Sequence, residues 1–182
     1  MKTSAGRILT THTGSLPRPP GLDRHDPAAV SAAVAETVGR QVEAGVDIVN
    51  DGEVSKVGYS TYVTERLSGF GGEPVPVWRR GYDQFPAFFQ KTFGDPQLAA
   101  ATASNPSCDG PVAYLDTSLV EADIANLLAA GGGATEVFMS AASPGVIDMF
   151  MPNRYYPSTE DYLLALADAM KTEYDAIHRA GL

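Results

Sequence analysis

Short apolar runs alternate with longer stretches of helical periodicity along most of this chain. Asp26-Pro27 has the form of a helix N-cap followed by a proline in the first turn. The apolar residues that follow recur at helical spacing, at Val30, Val34 and Val38. Alternating strands and helices are typical of βαβ units, so the pattern predicts an α/β fold built on a parallel sheet.

About four such β/α units are predicted. The predicted strands span residues 7–11, 47–50, 112–115 and 135–139. The predicted helices span residues 27–44, 59–67, 118–130 and 159–180. Residues 69–109 follow neither period and are rich in glycine, proline and aromatic side chains. We interpret them as an insertion after the second unit, including a hairpin, that caps one end of the sheet.

The number of units leaves two architectures open. A complete (β/α)8 barrel takes about 250 residues, whereas this chain has 182. The pattern therefore fits either a small open α/β sheet or half of a closed barrel, in both cases as a single domain over residues 1–182. A dinucleotide-binding domain is poorly supported, because no G-x-G-x-x-G segment follows the first predicted strand.

The composition of the chain argues against several classes of binding partner. The chain has 22 acidic and 13 basic residues, a formal net charge of -9, and such a surface repels nucleic acid and anionic lipid. No apolar stretch approaches the roughly 20 residues of a membrane span, and the N-terminus lacks the apolar run of a signal peptide. Cys108 is the single cysteine, which excludes an internal disulfide and fits a reducing compartment. We expect a cytoplasmic protein with neither nucleic-acid nor membrane partners.

Polar residues collect where the first predicted strand ends. Gly14 and Ser15 form a turn whose backbone N–H groups are suited to a carboxylate, although an ordinary βα turn has the same composition. His12 is either a contact to substrate or metal or a hydrogen-bonded structural residue. Arg18 lies in the same segment and is available to an anionic group.

Two carboxylates follow the second predicted strand. Asp51 and Glu53 are suited to an ammonium group or to general-base chemistry, and the alternative for Glu53 is a solvated loop or a helix N-cap. Ligands of parallel β/α folds bind beyond the carboxyl ends of the strands. Our candidate substrate-binding residues are therefore His12, Gly14, Ser15, Arg18, Asp51 and Glu53.

Three of these segments, in this order, resemble a known family. They are residues 8–19 (ILTTHTGSLPRP), 45–53 (GVDIVNDGE) and 151–158 (MPNRYYPS) with the helix that follows. Together they resemble the methionine-synthase-II-like proteins, relatives of the catalytic domain of cobalamin-independent methionine synthase. The resemblance extends over nearly the whole chain and implies the N-terminal half of a TIM (β/α)8 barrel.

The resemblance also implies a reaction. Members of the family transfer a methyl group from a methylated folate to a thiol, usually homocysteine, in methionine biosynthesis, and a zinc ion holds the thiol as thiolate. By position, the Gly14-Ser15 backbone would hold the amino-acid carboxylate and Glu53 would accept the ammonium. His12 departs from the methionine synthase pattern proper, which leaves other thiols such as coenzyme M open.

The zinc ligands of the family come from later strands, so we expect no metal ligand in this chain. It would then be a fragment, or a half-barrel completed by a second chain or by self-association, because an open half leaves strand edges unpaired. The alternative is a non-catalytic binding module with the same fold. A related decarboxylase is less well supported, since only Arg18 and Arg154 lie near the predicted site.

Overall fold

Five α-helices and four short strands are formed by residues 2–74, 84–94 and 105–182, the part of the chain that the computed structural model describes. The helices are α1 (Pro27–Glu43), α2 (Pro86–Phe93), α3 (Ser118–Ala130), α4 (Pro144–Phe150) and α5 (Thr159–Arg179). The strands are β1 (Ile48–Val49), β2 (Phe70–Gly72), β3 (Ser107–Cys108) and β4 (Glu136–Val137). Two 3-10 helices span Tyr62–Glu65 and Gly131–Gly133.

The chain divides into two compact units. The first comprises Met1–Tyr62, Asp116–Ala142 and Lys171–Leu182, and the second comprises Val63–Leu115 and Ser143–Met170. The single domain predicted over residues 1–182, with its insertion at 69–109, stays a prediction.

The first compact unit contains a parallel sheet. β1 pairs with β4 in the register Ile48↔Glu136 and Val49↔Val137. On the other edge of β1, Thr11 forms a parallel bridge to Ile48. Because the three segments run in the same direction, their carboxyl ends meet at one edge of the sheet. The α/β class predicted from the periodicity is confirmed, but the described strands form no closed barrel.

Helices α1 and α3 pack together on this sheet. α1 begins where the sequence predicts, since the side chain of Asp26 accepts hydrogen bonds from the amides of Ala28 (2.9 Å) and Ala29 (3.4 Å). It ends before Gly45, whose φ of 81° suits glycine. The buried core between helices and sheet consists of Val30, Ala33, Val34, Val38, Val49, Val54 and Leu127.

Asp47 ties the edge segment to the sheet. Its Oδ2 accepts hydrogen bonds from the amide (2.8 Å) and hydroxyl (3.0 Å) of Thr10, and its carboxylate pairs with the guanidinium of Arg7. The predicted strand at 7–11 is therefore only partly correct. Among the described residues, the segment has one ladder bridge, at Thr11, and the carbonyl oxygen of Thr10 accepts the amides of Asp47 (3.1 Å) and Ile48 (3.0 Å). Side-chain bonds supply the other contacts.

The second compact unit is built on an antiparallel pair. β2 pairs with β3 in the register Phe70↔Cys108, and Leu67 forms an antiparallel bridge to Tyr114. The 69–109 segment thus contains antiparallel strands, but they are not joined by a tight turn. Its residues 75–83 and 95–104 lie outside the described part of the chain.

Two further predicted elements are wrong. The helix predicted at 59–67 is the 3-10 helix Tyr62–Glu65, and the strand predicted at 112–115 makes one antiparallel bridge instead of joining the parallel sheet. β4 consequently lies next to β1. The short helix α4 is not among the predicted elements. It is capped by Ser143, whose hydroxyl accepts a hydrogen bond from the amide of Val146 at 3.3 Å. Within the described residues, no helix combines the length and apolar character of a membrane span.

The anchoring role of Asp47 predicts a pH-dependent stability. Arg7 and Thr10 hold the pKa of Asp47 well below its usual range. Its stabilising contribution is therefore complete above about pH 4, the ordinary aspartate pKa, and is lost as the pH falls toward the depressed value. Asp47→Asn should lower the melting temperature at pH 7, and the difference from wild type should shrink in acid. The exposed Asp168→Asn is the control, and an equal effect of both variants at pH 7 would contradict the prediction.

Candidate functional site

The turn that follows β1 is held by side chains rather than by strand pairing. Asn50 Oδ1 accepts the amide of Gly52 at 2.7 Å, and Asp51 Oδ1 accepts the amide of Glu53 at 3.0 Å. From α1, Gln41 donates to the carbonyl oxygen of Asn50 at 2.7 Å. These bonds satisfy buried backbone groups that the two-residue strand leaves unpaired, and they fix the direction in which the turn presents its carboxylates.

Glu53 has a strained backbone. Its φ is 58°, and it is the single non-glycine residue with positive φ in the described part of the chain. The preceding residue must be glycine, because a Cβ on Gly52 would lie 2.7 Å from the Thr37 methyl carbon and 3.0 Å from Leu16 Cβ. Strain of this kind is found at functional sites, where the surrounding structure holds it in place.

The carboxylate of Glu53 is buried, with 2% of the residue exposed. Ser15 Oγ donates to Oε2, and Ser140 Oγ, beyond β4, donates to Oε1 at 3.3 Å. Burial and the charge of Glu53 together raise the pKa of the nearby Tyr59. Two hydroxyl donors leave the carboxylate further acceptor capacity, which suits a cationic or N–H-bearing ligand.

The predicted turn at the end of the first strand lies against this carboxylate. Gly14 has a φ of 113°, and the amide of Leu16 donates to the carbonyl oxygen of Gly52 at 3.0 Å. His12 makes a local contact, with its Nε2 3.1 Å from the carbonyl oxygen of Gly14. The structure thus brings Ser15 and Glu53 into direct contact, and its geometry for His12 is that of a hydrogen-bonded structural residue.

Arg18 is engaged with backbone groups. Its guanidinium donates to the carbonyl oxygens of Lys56, Glu53 (3.4 Å) and Val57 (3.4 Å). Burial and the neighbouring Arg24 lower its pKa. Arg18 and His12 also line a cavity of about 460 Å³ beside α1, whose lining does not include Asp51 or Glu53. The substrate-binding roles assigned to Arg18 and His12 stay predictions.

Two members of this cluster, Lys56 and Ser140, are not among the candidate residues of the sequence. Lys56 is 1% exposed and its Nζ lies 3.8 Å from Asp51 Oδ2. Burial raises the pKa of Asp51, and the ammonium of Lys56 opposes that rise. Ser140 directly follows the predicted strand at 135–139 but is not among the candidate residues. The sequence around Lys56 does not indicate whether its ammonium is buried or in solvent, because the long lysine side chain permits both.

Tyrosine hydroxyls fix the chain just beyond Ser140. Tyr59 donates to the carbonyl oxygen of Ala141 at 3.1 Å, and Tyr174 donates to that of Ala142 at 2.6 Å. The hydroxyl of Tyr62 accepts the amide of Ala142 (3.0 Å) and donates to Glu173 (2.6 Å). This end of the sheet is therefore preorganised, with little freedom left to the backbone around the carboxylate.

The described residues do not fit a zinc site. No group of three or more His, Cys, Asp or Glu side chains able to hold a metal ion occurs within 2–74, 84–94 and 105–182. In the second compact unit, Cys108 is buried, its Sγ lies 3.4 Å from the carbonyl oxygen of Gly110, and burial raises its pKa. A buried thiol of raised pKa is neither a ready nucleophile nor a ready metal ligand.

The left-handed conformation of Glu53 can be tested directly. Glu53→Gly and Glu53→Ala both remove the carboxylate, but only alanine keeps a Cβ at a φ of 58°. The glycine variant should be more stable by about 1 kcal/mol in chemical denaturation. Glu36 in α1 is the matched control, since there alanine should be more stable than glycine by about 1 kcal/mol. The same sign at both positions would show that Glu53 does not hold this conformation.

Comparison with known proteins places the fold. No protein-family model matches the sequence, and no curated protein matches it. Among solved structures, a B12-independent methionine synthase from Shewanella sp. W3-18-1, in complex with selenomethionine, matches with a TM-score of 0.71 and 20% sequence identity. The match covers 95% of this chain and 49% of the other, so this chain spans about half the length of that protein. The resemblance seen in the sequence is thereby confirmed at the level of the fold: this chain is folded like half of a cobalamin-independent methionine synthase.

Proposed function

We propose that this chain carries the amino-acid-binding part of a methyltransferase site of the cobalamin-independent methionine synthase type. The complete site would transfer a methyl group from a methylated folate to the thiol of homocysteine. The observation that carries the proposal is the buried Glu53 carboxylate, held by two serine hydroxyls at the carboxyl edge of a parallel sheet. The similar solved protein is in complex with selenomethionine, which is an α-amino acid of the class proposed as ligand.

We assign the two charged groups of an α-amino acid to two different parts of this site. Glu53 supplies the negative charge for the ammonium group, and desolvation strengthens that ion pair. The amides of Gly14 and Ser15 are assigned to the substrate carboxylate, since the amide of Leu16 is already bonded to Gly52. With its ammonium bound by Glu53 and its carboxylate bound by the two amides, the amino acid would be held in one orientation, which fixes the direction of its sulfur-containing side chain.

We assign this chain no step that uses zinc, because its described residues do not fit the metal. When bound in the complete family site, zinc supplies the thiolate form of the substrate. The part played by this chain is the earlier one, to bind the amino acid and fix its orientation. The half-barrel architecture implied by the resemblance belongs to the same proposal, supported by the match to half of a longer protein.

Calorimetric titration with L-methionine tests the proposed function. The wild type should bind with a dissociation constant of about 1 mM or lower. Glu53→Gln, which removes the charge but keeps the shape, should weaken binding at least about tenfold. Glu36→Gln, on the exposed face of α1, is the control and should bind as the wild type does. Equal affinity of wild type and Glu53→Gln would sink the assignment.

Coenzyme M separates the two thiol substrates that the sequence leaves open. It has a sulfonate and no ammonium group, so it cannot form the ion pair with Glu53. Under the proposed function it should bind more weakly than homocysteine, and Glu53→Gln should not weaken its binding, because the variant removes a negative charge that repels the sulfonate. Tighter binding of coenzyme M than of homocysteine would favour the alkyl transfer to other thiols over methionine synthesis.

We also propose that further β/α units cover the edge of the sheet at Thr11. Within the described residues, Thr11 bridges Ile48 alone, and the neighbouring Ile8 is 83% exposed. An apolar residue beside an open strand edge favours association. The cover would be supplied by the rest of a longer protein, by a second chain or by a second copy of this one.

Light scattering measures this association. The molar mass should rise with protein concentration, and Ile8→Lys should suppress the rise. Leu164→Lys, which replaces an exposed leucine on α5, is the control and should leave the rise unchanged. A monomer at every concentration, with a single cooperative melting transition, would argue against an open edge.

A further inference from the structure

Lys56 is buried with its charge. The residue is 1% exposed, and its Nζ donates to the carbonyl oxygen of Ser140 at 2.9 Å. The same nitrogen lies 3.8 Å from Asp51 Oδ2 and 5.2 Å from the centre of the Tyr62 ring. A carbonyl, a carboxylate and an aromatic face thus surround one ammonium group.

The burial of an ammonium group needs a compensating interaction. Its removal from water is strongly unfavourable, and the usual arrangement for a lysine leaves the charged head in solvent. The pair with Asp51 does not by itself explain the burial, because a buried ion pair is often no more stable than apolar residues of similar volume. We therefore look for the role of Lys56 in the positions that its ammonium gives to the neighbouring residues.

Two of those neighbours hold Glu53. Ser140, whose carbonyl oxygen binds Lys56, donates its hydroxyl to Glu53 Oε1 at 3.3 Å. Asp51, whose Oδ2 faces Lys56, accepts the amide of Glu53 through Oδ1 at 3.0 Å. Ser140 thus connects the ammonium to the carboxylate of Glu53, and Asp51 connects it to the Glu53 backbone.

We propose that Lys56 is the positioning residue of the Glu53 carboxylate: its buried ammonium fixes Ser140 and Asp51, and these two residues fix the orientation and the left-handed backbone of Glu53. The effect on ligand affinity rests on the proposed function, in which Glu53 receives the substrate ammonium. The effect on Glu53 itself does not.

The electrostatics of the cluster agree with this role. Asp51 is buried with no hydrogen-bond partner for Oδ2, so the ammonium facing it supplies the compensating charge. Lys56 also opposes the rise of the Asp51 pKa that burial and the neighbouring carboxylates, including Asp123, produce. An ionised Asp51 is the better acceptor for the Glu53 amide, because hydrogen bonds to charged groups are the stronger ones.

The experiment uses Lys56→Met and the double variant Asp51→Asn/Lys56→Met. Methionine fills a similar volume without the charge, and asparagine keeps an oxygen for the Glu53 amide while removing the acid that would be left unpaired. NMR hydrogen exchange of the Glu53 amide should speed up at least about tenfold in Lys56→Met relative to wild type, since the hydrogen bond to Asp51 loses its charge support. Because asparagine is a weaker acceptor than an ionised aspartate, exchange in the double variant is compared with that in Asp51→Asn alone and should again be faster. The affinity for L-methionine should fall by a similar factor.

Lys56→Gln gives the rescue. Its amide can still donate to the Ser140 carbonyl oxygen, so it should recover part of the protection that methionine loses. The amide of Val38, in the buried part of α1, reports on global unfolding and should keep its exchange rate. Lys171→Met and Asp175→Asn/Lys171→Met remove an exposed pair with an N–O distance of 2.5 Å and should leave Glu53 exchange and affinity unchanged.

The outcomes separate this inference from the proposed function. Glu53 exchange in the folded double variant within about twofold of that in Asp51→Asn would overturn the role of Lys56, whatever the ligand does. Faster exchange, with no methionine binding even by the wild type, would uphold Lys56 and reject the amino-acid site. If Lys56→Met does not fold, the charge-free double variant supplies the decisive measurement.

Discussion

Two carboxylates are buried at the end of one short strand, and much of the surrounding structure compensates for them. Asp51 and Glu53 are 1% and 2% exposed. A buried carboxylate is tolerated only with hydrogen bonds or an opposite charge, so each neighbouring segment must supply one. Ser15 supplies a hydroxyl, Ser140 supplies another, and Lys56 supplies the charge. The register of β1 against β4 determines that the chain beyond β4 arrives beside Glu53.

Some of these features can be predicted from the sequence because they depend only on residues that are close together in the chain or on general rules of parallel sheets. Periodicity and capping are properties of neighbouring residues, so the start of α1 at Pro27 and both bounds of α3 follow from the sequence. The contact of Ser15 with Glu53 follows from a general rule, since carboxyl ends of adjacent parallel strands lie at one edge. What these predictions share is independence from the detailed packing of side chains.

The remainder depends on packing. The apolar run at 112–115 reads as a sheet strand, yet its pairing is antiparallel to Leu67, because a short apolar segment does not specify its partner. The helix predicted at 59–67 is absent, because the tyrosine hydroxyls of this stretch are bonded to the chain at Ala141 and Ala142 and only a 3-10 turn forms. Lys56 shows the same limit, since its long stem permits either solvent or burial.

The strained backbone of Glu53 shows how side-chain packing determines local conformation. A glutamate at positive φ is unfavourable by about 1 kcal/mol or more, and nothing in the strand requires it. Its persistence follows from the bonds around it: the amide held by Asp51 and the carboxylate held by Ser15 and Ser140. All of these residues lie in the first compact unit, within a chain that covers only 49% of the similar methionine synthase. Under the proposed function, the bonds that hold Glu53 in place therefore also hold the acceptor of the substrate ammonium, and all of them lie in the first compact unit.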